Sequence, residues 1–97
     1  MAKAYWVATY RAIKNPDAMT AYAKLSRPAI EAAGGRVLAR GVPAAAFELG
    51  QMERVVLIEF DSVERAKAAY ASPAYQAAHD LLGDGADRDI RNVEAAD

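Results

Sequence analysis

The segment Arg54–Phe60 (RVVLIEF) is apolar at both parities. Along a strand, Val56, Ile58 and Phe60 point one way and Val55 and Leu57 the other. Ala4–Ile13, with Tyr5, Trp6, Val7, Thr9 and Tyr10, has the same two-faced character. A strand wetted on one side alternates apolar with polar residues. These two do not, so the sheet they form needs cover on both faces, and the rest of the chain has to be allotted to that task.

Helices account for one cover. Asn15-Pro16-Asp17 reads as a helix start, with an Asn cap, proline at the first helical position and an acid in the first turn. Met19, Tyr22, Ala29, Ile30 and Ala33 follow at helical spacing until Gly34-Gly35 stops the run. Pro28 within this pattern predicts a kink or a split near Ser26-Arg27. Arg36–Arg40 is a short alternating strand, and Gly41–Gly50 is a loop or irregular edge. Asp61-Ser62-Val63-Glu64 opens a second helix, and Ser72-Pro73 caps a third that carries Tyr75, Ala78, Leu81 and Leu82 to Gly83. The last strand is Arg88–Glu94, its Asp89, Arg91 and Glu94 suited to an edge.

The order is βαββαβ within a single domain, residues 1–97. This predicts an α+β, ferredoxin-like sandwich: one four-stranded antiparallel sheet with helices on one face. Right-handed crossovers place the first and third strands at its centre. The second face then lacks a cover. The simplest one is another copy of the same sheet, giving a homodimer through sheet faces, with Tyr5, Trp6 and Tyr10 adding aromatic contact area. The competing expectation is a monomer whose 41–53 segment folds over that face.

Composition narrows the function classes. Twelve basic against thirteen acidic residues, a net charge of −1, gives no basic footprint for nucleic acid. The absence of cysteine removes disulfides, thiolate metal sites and a Cys nucleophile, and the single histidine removes a multi-His metal site. The expectation is therefore no metal, no haem and no other cofactor. No segment reads as a signal peptide or a membrane span, so the default is a soluble cytoplasmic protein.

The segments AYW, NPDAMTAYAKLSRPAIEAAGGRVLARG, VVLIEFDSVERAKAAYASPAYQAA and the final VEA resemble the DUF1330 family of the dimeric α+β barrel superfamily. The combination of Gly34-Gly35, Arg40-Gly41, Glu59-Phe60 and Ser72-Pro73-x-Tyr75-Gln76 carries the resemblance. The chain departs from that family at Leu49, where a glutamate often precedes the glycine, and at Leu82, where an arginine is common. The resemblance implies a face-to-face dimer. It implies no particular reaction, although the wider superfamily includes cofactor-independent oxygenases, haem-degrading enzymes, isomerases and dechlorinases.

The candidate site follows from the polar residues on apolar elements. Arg40 reads as an anion anchor, and Glu59 as a proton acceptor. Tyr22, Tyr70 and Tyr75 occupy helix positions that can turn a hydroxyl toward the sheet. Tyr22, Arg40, Glu59 and Tyr75 together would line a ligand pocket between sheet and helices. For Glu59 the alternative is structural: a hairpin register that sets Arg40 opposite Val55 sets Arg36 opposite Glu59, an ion pair that keeps the carboxylate unreactive. His79 is a second catalytic candidate, being the residue type that ordinarily titrates near neutrality. Its neighbours Ala78, Leu81 and Leu82 are the expected buried face, which leaves His79 nearer solvent. Ser72 is explained by capping, and a Ser72–His79–Asp80 triad lacks a strained nucleophile turn. Two functions remain: binding or conversion of a small organic ligand, or a dimeric interaction module without chemistry. A pocket of a few hundred Å³ with convergent polar groups distinguishes the first.

Overall fold

The structure is a computed structural model and describes residues 2–96. The strands are β1 (Ala4–Ile13), β2 (Arg36–Gly41), β3 (Val55–Phe60) and β4 (Ala86–Glu94), and the helices are α1 (Pro16–Ala32), α2 (Val63–Ala71) and α3 (Pro73–Leu82). The sheet is antiparallel in the order β2-β3-β1-β4, so the two doubly apolar strands are central. This is the ferredoxin-like βαββαβ sandwich.

The local signals act as their chemistry dictates. The Asn15 side chain accepts from the Ala18 N–H at 3.1 Å and caps α1. Ser62 and Ser72 do the same for α2 and α3, accepting from Arg65 and Tyr75 N–H groups. Gly83, at φ +53°, ends α3. α1 runs unbroken through Pro28, contrary to the expected split. Lys24, whose carbonyl loses its helical donor there, and Pro28 both lie on the exposed side, where water replaces the missing bond.

Even-numbered residues of β1 and β3 face the helices. Trp6, Ala8, Tyr10, Ile58 and Phe60 are buried there. The Trp6 ring packs on Phe60 (6.1 Å) and edge-on to Tyr75 (5.2 Å). Trp6 and Tyr10 thus belong to the core, and of the three aromatics expected on the open face only Tyr5 is there. Leu81 is also exposed rather than buried, and it is Tyr75, Ala78 and Leu82 that form the buried stripe of α3.

The open face carries Tyr5, Val7, Thr9, Val55 and Leu57, all half-buried with no helix over them; the segment between β2 and β3 reaches one end of this face, where Pro43, Ala46 and Leu49 share a hollow with Thr9 and Val55. Ion pairs rim it: Arg36–Glu59 and Lys3–Glu59 at one end, Arg11–Asp89 and Arg91–Asp89 at the other. The segment between β2 and β3 does not pack its large apolar side chains onto this face. Phe47 and Leu49 are 79% and 96% exposed.

Candidate functional site

A bulge in β2 decides where the candidate residues go. Val37 pairs with Ile58 and Ala39 with Leu57, so Leu38 is an extra residue on its strand. Arg36 lies opposite Glu59 as the simple register requires, but Arg40 lies opposite Val56, not Val55. One inserted residue flips the parity of the strand beyond it. Arg36 therefore stands on the open face and Arg40 on the helix face.

The four residues expected to line one pocket do not all converge: Tyr22, Tyr75 and Arg40 lie on the helix side of the sheet, and Glu59 does not. Glu59 is on the open face, with Arg36 Nε 2.9 Å and Lys3 Nζ 3.4 Å from its Oε1 and the Tyr5 hydroxyl 3.4 Å from Oε2. The hydrogen bond from Arg36, then that from Lys3, holds its carboxyl below the ordinary value of 4.5. That is the structural ion pair, and it removes Glu59 from the helix-side site.

Tyr22 and Tyr75 do meet. Their hydroxyl oxygens are 2.8 Å apart, brought together from α1 and α3. Between them and the sheet lies Arg88 of β4, directly across from Tyr10 of β1. Arg88 Nη1 donates to the Tyr10 hydroxyl at 3.1 Å and to Tyr22 at 2.9 Å, and Nη2 donates to Tyr75 at 3.0 Å. The guanidinium also stacks 4.7 Å from the Tyr22 ring centre. Burial, reinforced by Tyr22, pushes the Tyr75 hydroxyl far above its ordinary value of 10.0, and burial raises Tyr10 against the opposing pull of Arg88. Both stay protonated at neutral pH.

The hydrogen count of this cluster is lopsided. All three phenolic oxygens accept from Arg88, and Tyr22 and Tyr75 share one proton between them. The Tyr10 proton, one proton of the Tyr22–Tyr75 pair and the remaining Arg88 N–H groups have no acceptor among the described residues. No carboxylate lies within ion-pair distance of Arg88 there either. A half-buried arginine is ordinarily paired with an acid. Here neutral phenols hold it in place and leave its charge uncompensated.

Arg88 lines two cavities. The inner one, about 40 Å³, lies between α1 and the sheet, and Tyr10, Tyr22, Arg40 and Arg54 share its lining. It has room for a water or two that would take the surplus phenol protons. The outer cleft, about 590 Å³, opens between α2, α3 and β4. Lys67, His79, Arg88 and Asn92 give it polar groups, Tyr70, Leu82, Ala86 and Ile90 give it apolar walls, and no acid among the described residues lines it. His79 is half-buried there, its ring 6.1 Å from that of Tyr70 and 6.3 Å from that of Tyr75. Among the described residues, no three His, Asp or Glu side chains gather as a metal site.

Arg88, the centre of the cluster, was missed in the sequence because the charges of β4 read as edge charges. The signal was its parity: Arg88 shares a face with Ile90, and that face points into the sandwich.

Fold and site together define a ferredoxin-like domain with a cationic cleft on its helix side, lined by no acid among the described residues. The chain belongs to the DUF1330 family, a domain of unknown function, whose model matches residues 3–96. Comparison with curated proteins gave no match. Among solved structures, the chain is similar to a protein of unknown function from Rhodopseudomonas palustris, with TM-score 0.76 and 17% identity over 99% of this chain and 84% of that one. A dimeric ferredoxin-like protein of unknown function from Thermobifida fusca matches with TM-score 0.64 and 20% identity over 97% and 92%. SnoaB, a cofactor-independent oxygenase from Streptomyces nogalater, matches with TM-score 0.66 and 11% identity over 100% and 96%. At these identities the likeness is one of fold.

Proposed function

We propose that the chain binds a small organic carboxylate with an apolar body in the cleft between α2, α3 and β4, and does so as a homodimer paired through its open sheet faces. The observation that carries this reading is the Arg88 guanidinium, fixed by three phenols and compensated by no acid among the described residues. A fixed guanidinium presents a planar fork that matches a carboxylate. Lys67 and Asn92 add donors, and Tyr70, Leu82 and Ile90 offer apolar surface to the rest of the ligand. The cleft is of the size that holds small ligands, which favours a binding protein over an interaction module without a ligand. The dimer is supported by the apolar stripe of Tyr5, Val7 and Leu57, which no helix covers, and two similar structures, from Thermobifida fusca and Bacteroides fragilis, are described as dimeric.

Calorimetric titration with benzoate and hexanoate, set beside benzyl alcohol and hexanol, tests the ligand class. Saturable binding of the acids alone, weakened by salt and lost in Arg88→Gln, is the expected result. Equal binding of the alcohols, or acid binding that survives Arg88→Gln, would refute the carboxylate reading. Sedimentation at micromolar concentration tests the assembly, and a single 10.4 kDa species would refute the dimer.

A further inference from the structure

The cations without an acidic partner are not scattered. Among the described residues, Lys24, Arg40, Arg54, Arg65, Lys67 and Arg88 make no ion pair, while the other basic side chains do. Lys67 and Arg88 line the cleft between α2, α3 and β4. Lys24, Arg40 and Arg54 line a different hollow, about 430 Å³, on the far side of Tyr10. Its other walls are Met19, Thr20 and Ala23, again with no acid among the described residues.

The backbone sets these three charges side by side. Tyr10 N–H donates to the Arg54 carbonyl at 3.0 Å, which places Arg54 beside Tyr10 on the helix face of the sheet. The bulge at Leu38 turns Arg40 to the same face, opposite Val56 and so diagonal to Arg54. Diagonal neighbours across two strands are within reach of long side chains, and like charges there repel. Lys24 closes the hollow from α1. Arg54 is half-buried, and its Nε is buried without any hydrogen-bond partner, an arrangement that costs stability unless an acceptor arrives. The Thr20 hydroxyl is already donating to the Pro16 carbonyl at 3.0 Å, so the hollow's charged donors are the three cations.

We propose that Lys24, Arg40 and Arg54 form a second anion site, which takes the phosphate group of a small phosphorylated molecule. Two guanidinium forks and one ammonium match a dianion with three terminal oxygens better than a single carboxylate. The hollow shares no residue with the outer cleft on which the carboxylate reading rests, although Arg40 and Arg54 also line the inner cavity with Arg88, and the Leu38 bulge is what assembles it.

Titration with inorganic phosphate and with phenyl phosphate, followed by NMR of the arginine Nε–H groups and by calorimetry, tests this. The expected result is a saturable shift of the Arg54 and Arg40 Nε–H signals. Each of Arg40→Gln and Arg54→Gln should weaken binding by about tenfold or more, as loss of a charged hydrogen bond does. Arg65→Gln removes the same charge from outside the hollow and should leave the affinity unchanged. Tighter binding of phenyl phosphate marks a phosphorylated organic ligand. Equal or tighter binding of inorganic phosphate would overturn that source. An equal loss in Arg65→Gln, no saturable shift, or a shift centred on Arg88 would overturn the site.

Discussion

Replacing Arg88 with methionine separates a functional arginine from a structural one. The guanidinium makes three hydrogen bonds to Tyr10, Tyr22 and Tyr75, at 3.1, 2.9 and 3.0 Å. At about 1.5–3 kcal/mol for each bond to a charged group, their gross contribution is roughly 5–9 kcal/mol. Stacking on Tyr22 adds about 0.5–2 kcal/mol. Against this stand the cost of holding an unpaired charge in a half-buried position, several kcal/mol, and about 2 kcal/mol of side-chain freedom lost on fixing the arginine. In the variant, the Tyr22–Tyr75 bond remains, the thioether fills much of the lost volume, and water from the cleft reaches the freed oxygens. The net loss of stability should be about 1–2 kcal/mol, read from urea melts at one protein concentration. Repeating the melts with saturating benzoate completes the test. At one hundred times its dissociation constant, a ligand bound only by the folded state stabilises by about 2.7 kcal/mol. The native chain should show that gain and Arg88→Met should not. A loss above about 4 kcal/mol in the melts would make Arg88 a structural keystone, and a benzoate-induced gain that persists in the variant would place the ligand elsewhere.

Leu57→Asp, on the open sheet face, should give a folded monomer by sedimentation, whereas Val56→Asp, on the helix face, should cost several kcal/mol by burying an unpaired charge. Gly35→Ala should destabilise by about 1–3 kcal/mol in urea melts, because a Cβ there would stand 2.5 Å from Ile30 Cγ2 and 2.8 Å from Phe60 Cζ. Glu59 titrates below its ordinary value of 4.5 in the folded chain, so its ion pair adds stability above that pH and loses it as the pH falls through the folded value. Melts across this acid range should show less of that pH dependence in Arg36→Ala, and an unchanged profile would dismiss the pair.

The fold was legible because its signals are local. Asn15, Ser62 and Ser72 cap helices through their own side chains, and the parity of Arg54–Phe60 separates two faces whatever surrounds it. The Arg36–Glu59 pair was legible because it needs only the hairpin register up to Val37. Past that point the Leu38 bulge intervenes, and nothing in Arg36–Arg40 announces an extra residue, since a bulge answers to the packing of the finished sheet. That is why Arg40 was placed one register position away and why its company with Arg54 was invisible. The Arg88 cluster was hidden for a related reason. Its four members come from β1, α1, α3 and β4, and only the assembled sandwich brings them together. Tyr22 and Tyr75 were legible as inward-facing tyrosines, but their shared partner was not.

The most direct test of the Arg88 site is a crystal structure of the native chain grown with saturating benzoate. The carboxylate is predicted within hydrogen-bonding distance of Arg88, with its ring against Tyr70, Leu82 or Ile90 in the outer cleft. A carboxylate bound elsewhere, or a cleft that stays free of it while Arg88 turns out to be paired with an acid of its own chain, would contradict the account.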